Sequence, residues 1–344
     1  MKIIKTTFKL ILPVLIAGTM FAGCSSDNEE IGAPIPLEPP YPLPEKGLSP
    51  AQDRVVDFYY NYNTFLLYDF TPEDFDYGQS TNGMEYHATV GDLQYLEPML
   101  DLLDEVWLDF FPESFKSRYF PFKIYFADQI STTNKWSGVP TYYDLVARKT
   151  DMAVAGMNES INEITPEKKQ ELKCALIGAY IDFLLIQQDA DGTSLLKIPQ
   201  EFYEVTDYAN DWMSSLDYKA SGNPDVYLEF GYLPDLDFRF SAYPSISPGW
   251  AMSKYVTDAT SDIKHFMKNL FTIGDDFPQF PDFPASGNYA PYENRITWNY
   301  YLQKDESGNY KFPRIKKKYD ILMKYFTEEL GIDVTAMRNK RFDI

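Results

Sequence analysis

The sequence predicts an α+β fold, richer in helix than in strand with a small sheet, in one domain over residues 51–344. Three observations carry that prediction. Apolar residues recur at steps of three and four in long windows, above all Leu93, Leu96, Leu100, Leu103 and Trp107. Short β-rich runs such as Phe65-Leu66-Leu67 lie between those windows. Twice, at Ser49-Pro50 and Thr165-Pro166, a capping hydroxyl precedes a proline fit for a first helical turn. No internal repeat is visible.

The chain opens on a segment that stands outside the fold. Lys2, Lys5 and Lys9 form a basic region, and Leu10 to Met20 an apolar stretch too short to span a bilayer as a helix. Phe21-Ala22-Gly23-Cys24 ends it with small residues before a cysteine. This arrangement resembles a bacterial lipoprotein signal. The resemblance implies a diacylglycerol on the Cys24 thiol, cleavage after residue 23 and acylation of the new N-terminus. The body would then be held at a membrane by lipid, each buried CH₂ adding roughly 0.8 kcal/mol. Ser25-Ser26-Asp27-Asn28-Glu29-Glu30 resembles the export signal of Bacteroidetes surface lipoproteins, which implies an outer-membrane, cell-surface address. Residues 24–50 read as a tether, stiffened by Pro34, Pro36, Pro39, Pro40, Pro42, Pro44 and Pro50.

Ser49-Pro50 opens a helix through Val55, Val56 and Tyr59. Residues 64–70 read as a strand. The Leu93–Trp107 stripe predicts a helix over about 92–110. Residues 120–126 read as a strand with Phe122, Ile124 and Phe126 on one side, and 152–155 as another. Thr165-Pro166 starts a long helix with a stripe of Leu172, Leu176, Tyr180, Phe183 and Leu184, stopping before Asp191-Gly192. A proline turn and a short helix are expected within 198–216, then loops over 217–250. Asp258 caps a helix through Ile263, Phe266, Met267 and Leu270. Residues 275–291 read as a proline-rich surface excursion. A last helix carries Ile315, Tyr319, Leu322, Met323 and Phe326 and ends at Gly331.

Composition excludes some functions. The formal charge is -20, and loss of Lys2, Lys5 and Lys9 with the leader would make it more negative still. Such a surface repels phosphate backbones, so nucleic acid is not an expected partner. Cys174 is the only other cysteine, so with Cys24 acylated no internal disulfide is available. Aromatic residues make up 17% of the chain, a weak pointer to carbohydrate handling because tyrosine also fills cores.

The order of elements resembles a known family. The Phe65–Phe70 run is followed by acidic Glu73, Asp74 and Asp76. After it come the Leu93–Trp107 helix, the Phe115-to-Pro121 segment, the Phe122–Phe126 strand and the helix from Thr165. Ile198-Pro199-Gln200-Glu201-Phe202, Val205-Thr206, Tyr208 and Trp212 complete the pattern. Over most of residues 55–270 this resembles the zinc metallopeptidase lipoproteins of Bacteroidetes, described as substrate-import-associated metallohydrolases and found beside outer-membrane glycan uptake systems. The resemblance implies a zincin-like, metallopeptidase-like domain. In that family the long helix carries HExxH, whose histidines at i and i+4 reach one Zn²⁺ while the glutamate activates water. Here, anchored on Gln187, the histidine positions hold Ala179 and Phe183, and Tyr180 replaces the glutamate. The chain has two histidines, His87 and His265, and neither lies in this helix. The expectation is a vestigial metal site at Ala179, Tyr180 and Phe183, with no catalytic residues, metal or cofactor.

Other chemistry finds less support. Cys174 beside Lys173 reads as a buried cysteine rather than a nucleophile. No Gly-x-Ser-x-Gly elbow accompanies a Ser–His–Asp triad. Asp235 and Asp237 read as turn residues, although a carboxylate-based hydrolase acting on polysaccharide or protein is the alternative function. His265 reads as a partly exposed helix residue, and His87 as a loop residue without partners. Trp107 and Trp212 are expected in the core, and Trp298 in a dense aromatic patch. Trp136 and Trp250, in polar or Gly-Pro settings, are the candidates for stacking on a sugar. The sequence therefore points to a surface lipoprotein that binds a glycan or peptide ligand, or an outer-membrane uptake complex, without catalysis.

Overall fold

The computed structural model describes residues 39–76, 86–133, 138–209, 225–234, 236, 258–276 and 297–342. Cys24 and its leader, Trp136, Trp212, Trp250, Asp235, Asp237 and most of the 275–291 excursion lie outside them. Met1–Pro42 and Leu43–Ile344 are separate compact units, and the elements named here belong to the second. No helix of the described residues is long and apolar enough to cross a membrane.

Eleven helices are named here: α1 (Pro50–Tyr62), α2 (Pro72–Asp76), α3 (Leu96–Val106), α4 (Glu113–Tyr119), α5 (Pro166–Ile186), α6 (Gln200–Tyr203), α7 (Asp225–Glu229), α8 (Ala259–Thr272), α9 (Trp298–Tyr301), α10 (Pro313–Lys324) and α11 (Val334–Asn339). The strands are β1 (Phe65–Leu67), β2 (Tyr86–Val90), β3 (Lys123–Thr133), β4 (Pro140–Tyr143), β5 (Leu145–Ala147) and β6 (Asp151–Val154). The protein is thus a mixed helix-and-sheet structure.

The predicted helix starts hold for physical reasons. Ser49 Oγ accepts from Gln52 N–H at 3.2 Å and Pro50 fills the first turn of α1. Thr165 Oγ1 accepts from Lys168 N–H at 3.2 Å above Pro166. Asp258 accepts from Ser261 N–H at 2.9 Å at the head of α8. Asn63 ends α1 in the left-handed region, at φ 55°.

β3 is the spine of the sheet. Its first half lies between β1 and β6, both parallel to it, with Leu66 and Met152 flanking Ile124. Its second half carries two antiparallel arms, with Ala88 of β2 and Tyr143 of β4 flanking Ile130. β5 closes one edge, antiparallel to β6. Ile124, Tyr125, Phe126 and Ala127 are all buried, so both faces of this segment are covered. Ile124 and Phe126 share one side as expected, packed in the main core, while Tyr125 meets Phe70 and Phe75; Phe122 alone departs from the expected strand face. Pro121 cannot donate to a ladder, pairing begins at Lys123, and Phe122 stays outside the strand, 39% exposed. The strand also runs on to Thr133 through polar residues.

α5 runs between β5 on one side and α3 and α8 on others. It is buried nearly all round, including Gln170, Lys173, Cys174, Ile177 and Ile181 outside the predicted stripe. The expected single stripe is therefore replaced by a central helix wrapped by its neighbours.

Two hairpins share one design, a local repeat that the sequence did not reveal. Gln188 pairs with Ser194 and Lys304 with Tyr310. Asp189 N–H donates to Thr193 O at 2.7 Å, and Asp305 N–H to Asn309 O at 2.8 Å. Gly192 and Gly308 turn the chain at φ 81° and 82°, which favours glycine at both. Each follows a helix and leads through a proline, Pro199 or Pro313, into the next.

Candidate functional site

The helix positions matched to the metal motif are packing positions. Tyr180 is fully buried, and its hydroxyl donates to Tyr119 O at 3.1 Å. Its ring meets those of Trp107, Phe111 and Phe120, each at 5.3 Å and edge-on, and stacks on Phe183 at 6.1 Å. Burial pushes the phenol pKa well above its ordinary value, so it stays a neutral donor. Phe183 is 3% exposed, and Ala179 is half-buried against the same core. A methyl group, a phenol already hydrogen-bonded and a benzyl ring do not fit Zn²⁺. Among the described residues, no three His, Cys, Asp or Glu side chains gather where they could hold one.

The histidines are elsewhere. His265 is buried at 4% exposure on α8, not partly exposed, because α8 packs against both α5 and α11. His87 is in strand β2 rather than a loop, and its Nδ1 lies 3.1 Å from an Asp76 carboxylate oxygen on α2. Cys174 is buried as expected. Its thiol is pushed up to about 11 by burial and sits 3.8 Å from Gln170 Nε2, so no thiolate forms near neutral pH. Lys173 beside it is also buried, and its ammonium donates to Lys340 O at 2.8 Å. Trp107 is core. Trp298 is buried, and its indole N–H donates to Asn269 O at 3.2 Å.

A second polar cluster ties α8 to α10. Lys318, fully buried, pairs with the Asp262 carboxylate and donates to Gly231 O at 3.0 Å. Tyr208 O–H donates to Asp262 Oδ2 at 2.6 Å, and the ammonium lies 5.0 Å from the Phe202 ring centre. The other carboxylate oxygen, Asp262 Oδ1, is buried and makes no hydrogen bond among the described residues.

Among the described residues, one site-like feature is a cavity of about 710 Å³, formed where the end of α5, the 188–194 hairpin, the chain into α6 and the first turn of α8 meet. Leu185, Leu196, Ile198 and Ile263 give it apolar wall. Asp191, Thr193, Ser194, Lys197, Tyr203 and Thr260 give it polar groups. Asp191 accepts from Thr193 Oγ1 at 2.7 Å and Thr193 N–H at 3.0 Å, bonds that hold its carboxyl below the usual range. Burial, with the charge of nearby Asp262, raises the Tyr203 phenol, so its hydroxyl keeps its proton. Among the described residues, the Tyr203 and Thr260 hydroxyls make no hydrogen bond to protein. Sequence reading missed this site. Its visible trace was Asp191-Gly192, taken only as a helix stop.

No family model and no curated protein matches the chain. Among solved structures, it is similar to a candidate zinc-binding metallo-peptidase from Bacteroides caccae, at 11% identity, over 83% of this chain and 88% of that one, with a TM-score of 0.41.

Proposed function

We propose that this is a lipid-anchored protein of the outer-membrane surface that binds a ligand without cleaving it. It would serve as an accessory of a glycan or peptide uptake system, on a zincin-like, metallopeptidase-like scaffold that has lost its zinc chemistry. Cys24 behind its apolar run supports the anchor. The observation that carries the loss of catalysis is Tyr180: its hydroxyl is committed to Tyr119 O and its ring is enclosed by four others, where a metallopeptidase needs an ionised, water-facing glutamate. The cavity beside Tyr203 supports ligand binding in a different place on the same body.

Two measurements test this. Cys24→Ala should release the protein from membranes and abolish acyl labelling. Purified protein, dialysed and assayed on casein and on polysaccharide, should hold no stoichiometric zinc and turn over neither. Chelator-sensitive proteolysis would refute the reading, and chelator-insensitive polysaccharide cleavage would favour a carboxylate-based hydrolase instead.

A further inference from the structure

The cavity's chemistry selects among ligand classes. Its volume of about 710 Å³ suits a small ligand rather than a folded partner. A peptide strand would need free backbone groups to pair with, and several of the hairpin's are already used. Asp189 N–H donates to Thr193 O, Thr193 N–H to the Asp191 carboxylate, and Leu195 N–H to Gln187 O. An acidic ligand would meet Asp189 and Asp191 at the rim of a chain with formal charge -20. What remains free is hydroxyl chemistry. Among the described residues, the Tyr203 and Thr260 hydroxyls have no hydrogen-bond partner in the protein. The Lys197 ammonium has proton donors to spare, its nearest carboxylate, on Asp189, being 3.9 Å away. Asp191 offers further lone pairs as an acceptor. Leu185 of α5 and Ile263 of α8, the latter 3% exposed, add apolar lining.

We propose that this cavity binds a neutral oligosaccharide. Pyranose C–H faces rest on the Tyr203 ring and the Leu185–Ile263 wall, and sugar hydroxyls bond to Tyr203, Thr260, Asp191 and Lys197. The inference rests on the ligand-binding reading above and names its ligand class and its residues.

Isothermal titration of the full-length protein with maltotriose, cellotriose, mannotriose and trigalacturonate tests it. At least one neutral trisaccharide should bind saturably, and trigalacturonate should not. Thr260→Trp, an exposed first-turn substitution that fills the cavity, should abolish binding. Tyr203→Phe, which keeps the ring and removes the hydroxyl, should weaken it about tenfold, the worth of one good hydrogen bond. Thermal denaturation of both variants checks that they fold. Absence of binding to every neutral trisaccharide overturns the proposal, as does binding that survives both substitutions. Cleavage of a trisaccharide would instead overturn the non-catalytic reading, while the two variants still decide whether this is the site.

Discussion

Tyr180 offers the sharpest test of whether this face of α5 is core or cleft. Tyr180→Phe removes one O–H and leaves the Tyr119 carbonyl without that donor, 3.1 Å away in dry surroundings, which costs about 1–3 kcal/mol. Tyr180→Ala removes a ring in contact with Trp107, Phe111, Phe120 and Phe183, and belongs with aromatic-to-alanine changes of about 3–5 kcal/mol. Rebuilding the motif with Ala179→His, Tyr180→Glu and Phe183→His together loses two rings and places a carboxylate where no charge is solvated. The losses approach the whole stability of a domain, about 5–15 kcal/mol. Urea denaturation followed by circular dichroism should therefore rank the variants Phe, Ala and triple in falling midpoint, the triple unfolded or molten. Zinc content after dialysis should stay at background in all of them. A triple variant with the parent midpoint and one bound zinc would show that this face is an open cleft, and the reasoning would fail.

Three further outcomes follow from the buried polar groups. Burial pulls the Lys173 ammonium from 10.5 to about 8, so between those values the unfolded chain holds a proton that the native state lacks, and stability should rise with pH across that window by up to ~3 kcal/mol. Lys173→Met should flatten that rise in denaturation curves taken at pH 7 and pH 10, and a slope unchanged by the substitution would reject the assignment. Cys174 should be silent to Ellman's reagent at pH 8 in the native protein and react fully in urea; fast native labelling would contradict its burial. Asp262→Asn or Lys318→Met alone should cost about 3–5 kcal/mol by stranding the partner, and the double variant should recover most of it; additive losses would show that the two groups act separately.

The sequence made some elements plain because their signals are local. Ser49, Thr165 and Asp258 each cap a helix with their own side chain, and Leu96, Leu100, Leu103 and Trp107 of the predicted stripe face one core, although Leu93 is exposed in a 3-10 turn ahead of the helix, so little that is distant is needed to read them. The arms β2 and β4 were hidden because their residues are largely polar and exposed, and only pairing with the far half of β3 makes them strands. α5 misled in the opposite sense. Gln170 and Lys173 lie outside the apolar stripe that the sequence shows, yet both are buried, the lysine because Lys340 O from the C-terminal segment receives its ammonium. His265 was misjudged for the same reason, since its burial depends on α5 and α11, far from it in sequence. The cavity joins the end of α5, the chain into α6 and the start of α8, and no window of sequence contains all three.

The aromatic content illustrates why composition is a poor guide to ligand. Tyrosine and phenylalanine at this density invite a sugar-binding interpretation. Yet Trp107, Trp298, Tyr125, Tyr180, Tyr232 and Tyr301 are all fully buried, with Tyr180 at the heart of an aromatic cluster on α5. These rings are structural: they occupy volume that a hydrolytic centre would have to leave open to water. The ring relevant to binding is Tyr203, and what distinguishes it is an unpartnered hydroxyl at the edge of a cavity, a property of position rather than of residue type. A helix buried nearly all round is held by its neighbours on every side. The proposed ligand site at its far end, beside a hairpin braced by its own backbone hydrogen bonds, then gains a wall that does not have to be ordered on binding.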